Sequence, residues 1–279
     1  MVGHIPLEDG IGVRVPDWQL MKFSIKNRKG LEIVGEILIP EKSIGLSFVL
    51  HGLGGFRTQN HIQIMAKTLF ENNYTVVNFD ATNSIGESGG KYEDATMQNH
   101  YEDLVDVITW SETQSWYKEP FVLAGHSMGG FAVAKYAEEF PRKVKGVFPY
   151  AAVFSGQDAF DAHNKFFPEE IKEWKETGWK TRIINSKPGT EMKLPWSHME
   201  ERLKHDLIPK AKNIIMPILF VVGENDTSCP PDQQKKFYDL LSKNTKKEFH
   251  IVKGAPHTFK EEGHLRELKE IFNNWLKKI

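Results

Sequence analysis

The sequence predicts an α/β fold: a mostly parallel central sheet flanked by helices, with one inserted cap. Short runs rich in Val, Ile, Leu and Phe alternate with longer stretches whose apolar residues recur at helical spacing. Continuous apolar strands are typical of a parallel sheet buried on both faces, because helices then cover both sides. A chain of 279 residues can form one large domain of this kind or two small ones.

The predicted strands and helices follow one another in this alternating order. The first β-rich stretch, Leu31 to Pro40, has no helix beside it, so we expect an antiparallel hairpin at the edge of the sheet. Further strands are predicted at 46–50, 75–79, 121–124, 144–153, 218–222 and 248–252. Helices are predicted at 61–72, 101–116, 131–140, 232–241 and 265–276. In the first of them Ile64, Met65 and Leu69 share one face.

One segment, residues 155–210, interrupts this alternation. It contains no strand-like run of comparable quality, yet it carries Trp174, Trp179 and Trp196, three of the seven tryptophans. Long insertions in compact domains are often lids or binding elements, so the segment is expected to form a cap over a pocket. An irregular excursion with its own small core is the alternative, and the two interpretations are compatible. We therefore predict one α/β domain formed by residues 1–154 and 211–279, with an inserted cap at 155–210.

Charge and composition exclude several classes of protein. Lys and Arg number 36 and Asp and Glu number 37, which argues against a general nucleic-acid binder or a polybasic membrane-surface protein. Cys229 is the single cysteine, which excludes an intrachain disulfide and a cysteine-rich zinc site. Met1 to Leu20 lacks a signal-peptide pattern, and the longest apolar run, Ile214 to Val222, is far too short to span a bilayer. We expect a cytoplasmic protein with no membrane span; its oligomeric state stays open.

The most informative motif is Gly125–Gly129, which reads G-H-S-M-G between a predicted strand and a predicted helix. The G-x-S-x-G motif requires this strand–turn–helix context, in which a tight turn projects the serine hydroxyl above the sheet. The glycines let strand and helix approach closely, and the Met128 N–H at the helix start can bind an oxyanion. The motif predicts that Ser127 is a nucleophile; an ordinary glycine-bracketed turn is the alternative.

A nucleophilic serine needs a base and a group that orients the base, and each has a candidate downstream. Asp226 follows the strand at 218–222, and His257 follows the strand at 248–252, so both lie past the carboxyl ends of strands. The order Ser, Asp, His is the one this motif predicts. Glu224 remains an alternative carboxylate, and a solvated loop histidine remains an alternative for His257.

A second oxyanion donor is expected from the loop after the third strand. His51–Gly55 reads H-G-L-G-G, and its glycines let the backbone fold back so that the Leu53 N–H faces Ser127. The loop lacks the lysine and the spacing of a phosphate-binding P-loop.

In these motifs the sequence resembles the α/β-hydrolase superfamily. The loop at 51–55, the turn at 125–129, the G-x-x-D at 223–226 and the G-x-x-H at 254–257 follow in the superfamily's order. The resemblance is nearest to bacterial carboxylesterases of the cinnamoyl or feruloyl esterase and monoglyceride-lipase-like types. It implies a serine hydrolase that cleaves small carboxylic esters. The aromatic residues of the segment 155–210 predict room for an aromatic or medium-chain acyl group, and the sequence indicates no cofactor. Thioesterase, amidase or acyltransferase chemistry with the same triad, and a non-catalytic ligand-binding relative, are the alternatives.

Other candidate residues are expected to lack a chemical role. His51 and His126 are expected to shape loops by hydrogen bonding. His198 and His205, seven residues apart, lack the carboxylate partners of a metal site. Cys229 is expected to be a small buried residue, because Ser127 already supplies a nucleophile.

Overall fold

A computed structural model of the protein describes residues 19–183 and 191–279. Ten strands are present in this part of the chain: β1 (Gln19–Lys26), β2 (Glu32–Ile39), β3 (Gly45–Leu50), β4 (Tyr74–Phe79), β5 (Phe121–His126), β6 (Val144–Tyr150), β7 (Trp179–Ile183), β8 (Glu191–Pro195), β9 (Ile218–Gly223) and β10 (Lys247–Val252). Eight α-helices are described with them: α1 (Asn60–Glu71), α2 (Met97–Ser111), α3 (Met128–Glu139), α4 (Gly156–Phe166), α5 (Pro168–Thr177), α6 (Trp196–Arg202), α7 (Pro231–Leu240) and α8 (Glu262–Leu276).

Eight of the strands form one sheet in the order β1-β2-β4-β3-β5-β6-β9-β10. The strands from β4 to β10 in this order pair in parallel, while β1 pairs with β2 and β2 with β4 in antiparallel. The predicted mostly parallel sheet and the antiparallel hairpin at its edge are both confirmed. Because the parallel strands end at one edge of the sheet, the loops after them meet there.

The central strands are buried on both faces, and successive residues of one strand contribute to two different cores. In β5, Phe121 and Leu123 pack with residues of α2, α3 and α7. Val122 and Ala124 point the other way and pack with residues of α1 and α8. This alternation is the reason that the strands appear in the sequence as unbroken apolar runs.

The segment 155–210 differs from its prediction, because it contains two strands. β7 and β8 pair in antiparallel as a separate two-stranded sheet. Their sequences, W-K-T-R-I and E-M-K-L-P, are rich in charge, and in β8 only Leu194 is buried, so the segment lacks the unbroken apolar runs of the central strands. α4, α5 and α6 belong to the same segment, which has a small core of Ile171, Trp174, Leu194 and Met199.

Two predicted boundaries were also too long. The helix predicted to reach Trp116 ends at Ser111, and turns follow it, with hydrogen bonds such as that from the Gln114 N–H to the Ser111 carbonyl. The strand predicted to reach Val153 ends at Tyr150, because Ala151 has a φ of 44° and leaves the extended conformation. Within the described ranges, no helix combines the length and the apolar character that crossing a membrane requires.

Candidate active site

Ser127 lies in the sharp turn between β5 and α3. Its φ of 54° and ψ of −114° are strained for a residue with a side chain, at a typical cost on the order of 1–3 kcal/mol. The turn is tight enough to exclude side chains on either side. A Cβ on Gly125 would lie 2.3 Å from the Gly129 carbonyl oxygen, and one on Gly129 would lie 2.4 Å from the Leu50 carbonyl oxygen. The two glycines are therefore required by close backbone contact.

Three of the predicted site residues form one chain of hydrogen bonds. The Ser127 Oγ lies 3.0 Å from the Nε2 of His257, and the Nδ1 of His257 lies 2.8 Å from an Oδ2 of Asp226. A carboxylate oxygen accepts hydrogen bonds, so we assign the imidazole proton to Nδ1, which leaves Nε2 to accept from the serine hydroxyl. This is the arrangement in which a serine can lose its proton to the ring as it attacks.

The carboxylate of Asp226 is buried and held from two sides. Its Oδ1 accepts the backbone N–H groups of Ser228 and Cys229, both at 2.8 Å, while its Oδ2 faces His257. Only 2% of the residue is exposed. These bonds fix the orientation of the carboxylate toward the imidazole.

Glu224, the alternative carboxylate, has a different partner. Its Oε2 accepts the Gly254 N–H at 2.8 Å, so it holds the loop that carries His257 and does not contact the ring. The geometry favours Asp226 over Glu224 as the partner of the imidazole.

The loop after β3 touches the serine directly. A Cβ on Gly52 would lie 2.9 Å from the Ser127 Cβ, so the Gly52–Leu53 peptide passes beside the serine. Met128 is the first residue of α3, and the first N–H groups of a helix have no acceptor within it. Leu53 and Met128, the predicted oxyanion donors, therefore flank Ser127 from two elements.

Two neutral histidines brace this arrangement. The His51 Nδ1 lies 2.8 Å from the Gly52 carbonyl oxygen, and its Nε2 accepts the Ala81 N–H at 3.0 Å. The His126 Nε2 donates to the His257 carbonyl oxygen at 3.1 Å. Burial lowers the pKa of both rings, that of His126 well below its ordinary value. Both histidines hydrogen-bond to loops near Ser127, in line with the expectation that they shape loops.

The remaining candidates have other partners. The His198 Nδ1 donates to the Ala95 carbonyl oxygen at 2.7 Å, and the His205 Nε2 lies 2.5 Å from Glu201. Among residues 19–183 and 191–279, no group of three or more His, Cys, Asp or Glu residues could hold a metal ion. Cys229 is buried, as expected, and burial raises the pKa of its thiol well above the usual value.

A cavity of about 240 Å³ opens above Ser127 and His257. Much of its wall comes from the segment 155–210, including Phe167, Trp174, Lys180, Met192, Leu194 and Arg202. The aromatic residues agree with the expectation of a pocket wall in this segment. Lys180 and Arg202 were missed, because no motif or period in the sequence distinguishes them from the other basic residues.

Comparison with known proteins supports the fold and identifies the family. The chain is 23% identical over 270 residues to an uncharacterized 31.7 kDa protein of the traX-finO intergenic region of Escherichia coli, covering 86% of this chain and 93% of that one. Est1E of Butyrivibrio proteoclasticus, solved with bound ferulic acid, is 19% identical with a TM-score of 0.76, over 92% of this chain and 98% of Est1E. The esterase Pf2001 of Pyrococcus furiosus is 17% identical with a TM-score of 0.67, over 94% and 93% of the two chains.

These structural likenesses and the sheet topology confirm the predicted α/β-hydrolase fold. The model of the prolyl oligopeptidase family matches residues 59–279, which is most of the chain. The chain belongs to the prolyl oligopeptidase family.

Proposed function

We propose that the protein is a serine hydrolase that cleaves carboxylic esters through an acyl-enzyme intermediate. The observation that carries the proposal is the hydrogen-bonded chain from Ser127 through His257 to Asp226, at 3.0 Å and 2.8 Å. Ser127 and His257 line a cavity at the sheet edge where α/β folds bind ligands. The resemblance to carboxylesterases in the four motifs, and the likeness to an esterase of Pyrococcus furiosus, support the ester as the substrate class.

The first half-reaction forms the acyl-enzyme. The Ser127 Oγ attacks the ester carbonyl carbon while the His257 Nε2 takes the hydroxyl proton, and Asp226 stabilises the resulting imidazolium. The carbonyl oxygen becomes an oxyanion, which the backbone N–H groups of Leu53 and Met128 bind. When the tetrahedral intermediate collapses, the carbon–oxygen bond to the alcohol breaks, and the alcohol leaves with the proton from His257.

The second half-reaction releases the acid. Water gives a proton to the His257 Nε2 and attacks the acyl carbon, and the same N–H groups bind the second oxyanion. Collapse breaks the bond to the Ser127 Oγ, which recovers its proton from His257. No cofactor takes part in either half-reaction, since the residues of the site supply every proton transfer.

Two variants test the nucleophile against a matched control. We expect hydrolysis of p-nitrophenyl butyrate to fall by at least about 10³-fold in Ser127→Ala, because covalent catalysis is lost. Ser115→Ala changes an exposed serine between α2 and β5 and should match the wild type. A fluorophosphonate probe should label the wild type and Ser115→Ala but not Ser127→Ala. Wild-type activity no greater than that of Ser127→Ala would favour a non-catalytic ligand-binding relative instead.

Amide cleavage is the second candidate, because the chain belongs to a family named for an oligopeptidase. The same triad can cleave esters and amides, and the shape and chemistry of the pocket determine which substrate is cleaved. Comparing p-nitrophenyl esters with p-nitroanilides of the same acyl groups separates the two. A higher kcat/KM for the anilides would assign the protein to peptide or amide hydrolysis.

The aromatic wall of the cavity supports an aromatic or medium-length acyl group. Phe167 and Trp174 line it, together with Met192 and Leu194, and the structurally similar Est1E binds ferulic acid. We therefore expect kcat/KM to rise from acetate to butyrate, hexanoate and cinnamate esters. Hydrolysis confined to acetates would contradict this preference.

A further inference from the structure

His100 is a buried histidine beside the oxyanion loop, residues 51–55. It lies in the first turn of α2 and is only 1% exposed, and its ring stands edge-on to the His51 ring with 5.5 Å between ring centres. Within residues 19–183 and 191–279, no backbone or side-chain group hydrogen-bonds to its Nδ1 or its Nε2. Buried polar groups are nearly always paired, and the exceptions include strained and catalytic positions.

The His100 ring carries a donor, and acceptors lie close to it. Burial holds the pKa of His100 well below the ordinary histidine value, so the ring is neutral near pH 7 and keeps one N–H. The carbonyls of Gly52 and His51 act on that pKa in the opposite direction, because they lie near the ring without reaching hydrogen-bonding geometry. Both of these acceptors belong to the oxyanion loop.

The Gly52 carbonyl belongs to the same peptide group as the Leu53 N–H, the expected oxyanion donor. This peptide is trans and planar, so its carbonyl oxygen and its N–H point in opposite directions. Donors that hold the Gly52 oxygen therefore aim the Leu53 N–H. Two such donors are present, the His51 Nδ1 at 2.8 Å and the Gly55 N–H at 3.0 Å. A carbonyl oxygen has two lone pairs, so these two bonds account for the unpaired donor of His100.

The first turn of α2 holds His100 in place. The Glu201 carboxylate accepts the Met97 and Gln98 N–H groups, both at 3.0 Å, and thereby ties the start of α2 to α6. The His100 N–H of the backbone donates to the Thr96 carbonyl oxygen at 3.2 Å. The ring therefore projects from a helix whose first turn is fixed by its neighbours, which is what a residue that positions a loop requires.

We propose that His100 is a positioning residue of the oxyanion hole: its ring N–H donates to the Gly52 carbonyl when the oxyanion forms, and so holds the Leu53 N–H on the oxyanion. The inference rests on the proposed function, because it concerns how that same site binds the oxyanion. Catalytic hydrogen bonds are often long in a free enzyme and shorten in the transition-state complex. A contact that improves only in that complex lowers the barrier without strengthening substrate binding, so His100 acts on kcat and leaves KM nearly unchanged.

Three variants of His100 test the donor. His100→Phe keeps a ring but removes both nitrogens, and we expect kcat on p-nitrophenyl butyrate to fall about 10-fold with KM within a factor of about two. The loss is smaller than the roughly 10²- to 10³-fold that follows removal of a whole oxyanion donor, because the Leu53 N–H is still present. His100→Asn places an amide N–H near the position of Nδ1, and His100→Gln places one near Nε2. One of these two should recover part of the lost kcat, which identifies the donating nitrogen.

Affinity for a tetrahedral adduct is the readout that a purely structural role would not change. 1-Butaneboronic acid forms a tetrahedral boronate on a nucleophilic serine and presents an oxygen to the oxyanion hole. We expect its Ki to rise about 10-fold in His100→Phe, in parallel with the loss of kcat, as for a transition-state analogue. Val107→Ala is the matched control, because Val107 is fully buried on the same face of α2, two turns further along. It should lower the melting temperature but leave kcat and Ki at the wild-type values.

The outcomes separate this inference from the proposed function. An unchanged kcat in His100→Phe, a fall in kcat without a matching rise in Ki, or no recovery in either amide variant would overturn the positioning role while the ester hydrolase stands. Should His100→Phe fail to fold, the two amide variants decide, and equal kcat and Ki in both would overturn the role. A wild type that cleaves no ester, binds no boronic acid and does not react with a fluorophosphonate would instead overturn the proposed function.

Discussion

The His126 ring lies 4.8 Å from the His257 ring, and its Nε2 donates to the His257 carbonyl oxygen across 3.1 Å. The residue before the proposed nucleophile thus holds the residue proposed as its base. His126 is itself enclosed, with Tyr150 at 4.8 Å and His61 at 4.6 Å between ring centres. We interpret His126 as a positioning residue that fixes the loop carrying His257.

Replacing His126 should therefore slow the reaction more than it weakens binding. His126→Phe keeps a ring but loses the donor, and we expect kcat on p-nitrophenyl butyrate to fall about 10-fold with KM little changed, because small misplacements of a base are costly. His126→Gln restores an N–H donor and should recover part of the loss. If kcat falls equally in His126→Phe and His126→Gln, and in proportion to the loss of thermal stability, then His126 has only a packing role.

Asp226 and Glu224 can be distinguished by removing one charge at a time. Asp226→Asn should lower kcat by about 10³- to 10⁴-fold, because the amide no longer holds the imidazole in the tautomer the reaction needs. Glu224→Gln is the matched control, since Glu224 bonds the Gly254 N–H and not the ring. We expect it to keep kcat within a factor of about 10. A larger loss in Glu224→Gln than in Asp226→Asn would reverse the assignment.

The glycines of the serine turn can be tested with a pair of helix variants. A Cβ on Gly129 would lie 2.4 Å from the Leu50 carbonyl oxygen, whereas one on Gly263, in α8, would meet nothing within 4 Å. Gly129→Ala should lower the free energy of unfolding by about 1–3 kcal/mol, because the backbone must move. Gly263→Ala should raise it by up to about 1 kcal/mol, since alanine favours the helix. Denaturant unfolding measures both, and equal effects would contradict the close contact.

Much of this architecture could be predicted because it depends on local patterns. Buried parallel strands are apolar throughout, and the rule that loops meet past their carboxyl ends brought Ser127, Asp226 and His257 into one hypothesis. The sheet and the hairpin at its edge are confirmed. The three side chains are joined by hydrogen bonds, and their catalytic roles stay a prediction.

What could not be predicted depends on contacts between distant residues. β7 and β8 carry charges, so no apolar run marks them. The bond from His126 to the His257 carbonyl joins residues 131 positions apart. Lys180 and Arg202 share a cavity only because β7 and α6 fold over the same edge of the sheet. No hydrophobic period and no motif in the sequence indicates any of these contacts.

Acid should destabilise the protein through its buried histidines. Burial lowers the pKa of His61 to about 3, whereas an unfolded chain has a histidine pKa near ~6.5. Below pH ~6.5 only the unfolded chain binds this proton, so the stability from His61 is present above that pH and is lost as the pH falls toward 3. The slope is up to ~1.4 kcal/mol per pH unit for one such group.

His61→Phe should flatten this dependence. The variant keeps a ring against His126 but cannot bind a proton, so the slope of the unfolding free energy between pH 6 and 4 should fall by up to ~1.4 kcal/mol per unit. Urea unfolding at each pH measures it, with m-values checked for constancy. An unchanged slope would mean that His61 is already protonated in the folded protein.

Trp174 tests whether the segment 155–210 is a separate cap. It is buried, its Nε1 donates to the Leu194 carbonyl oxygen at 2.9 Å, and its ring packs against Trp196. Trp174→Ala removes the centre of the small core in this segment, where such a change typically costs about 3–5 kcal/mol. Since these contacts lie within the segment, we expect amide hydrogen exchange to rise in α4, α5, β8 and α6 and to stay unchanged in the eight-stranded sheet.

Trp275→Ala is the matched control, because Trp275 is equally buried but packs in the core between the sheet and α8. It should raise exchange across the sheet and lower the melting temperature of the whole domain. If Trp174→Ala instead speeds exchange throughout β3, β5 and β6, the segment is an integral part of the core. The predicted division into a domain of 1–154 and 211–279 with an inserted cap at 155–210 would then be wrong, because a cap that can loosen alone must be held mainly by contacts of its own.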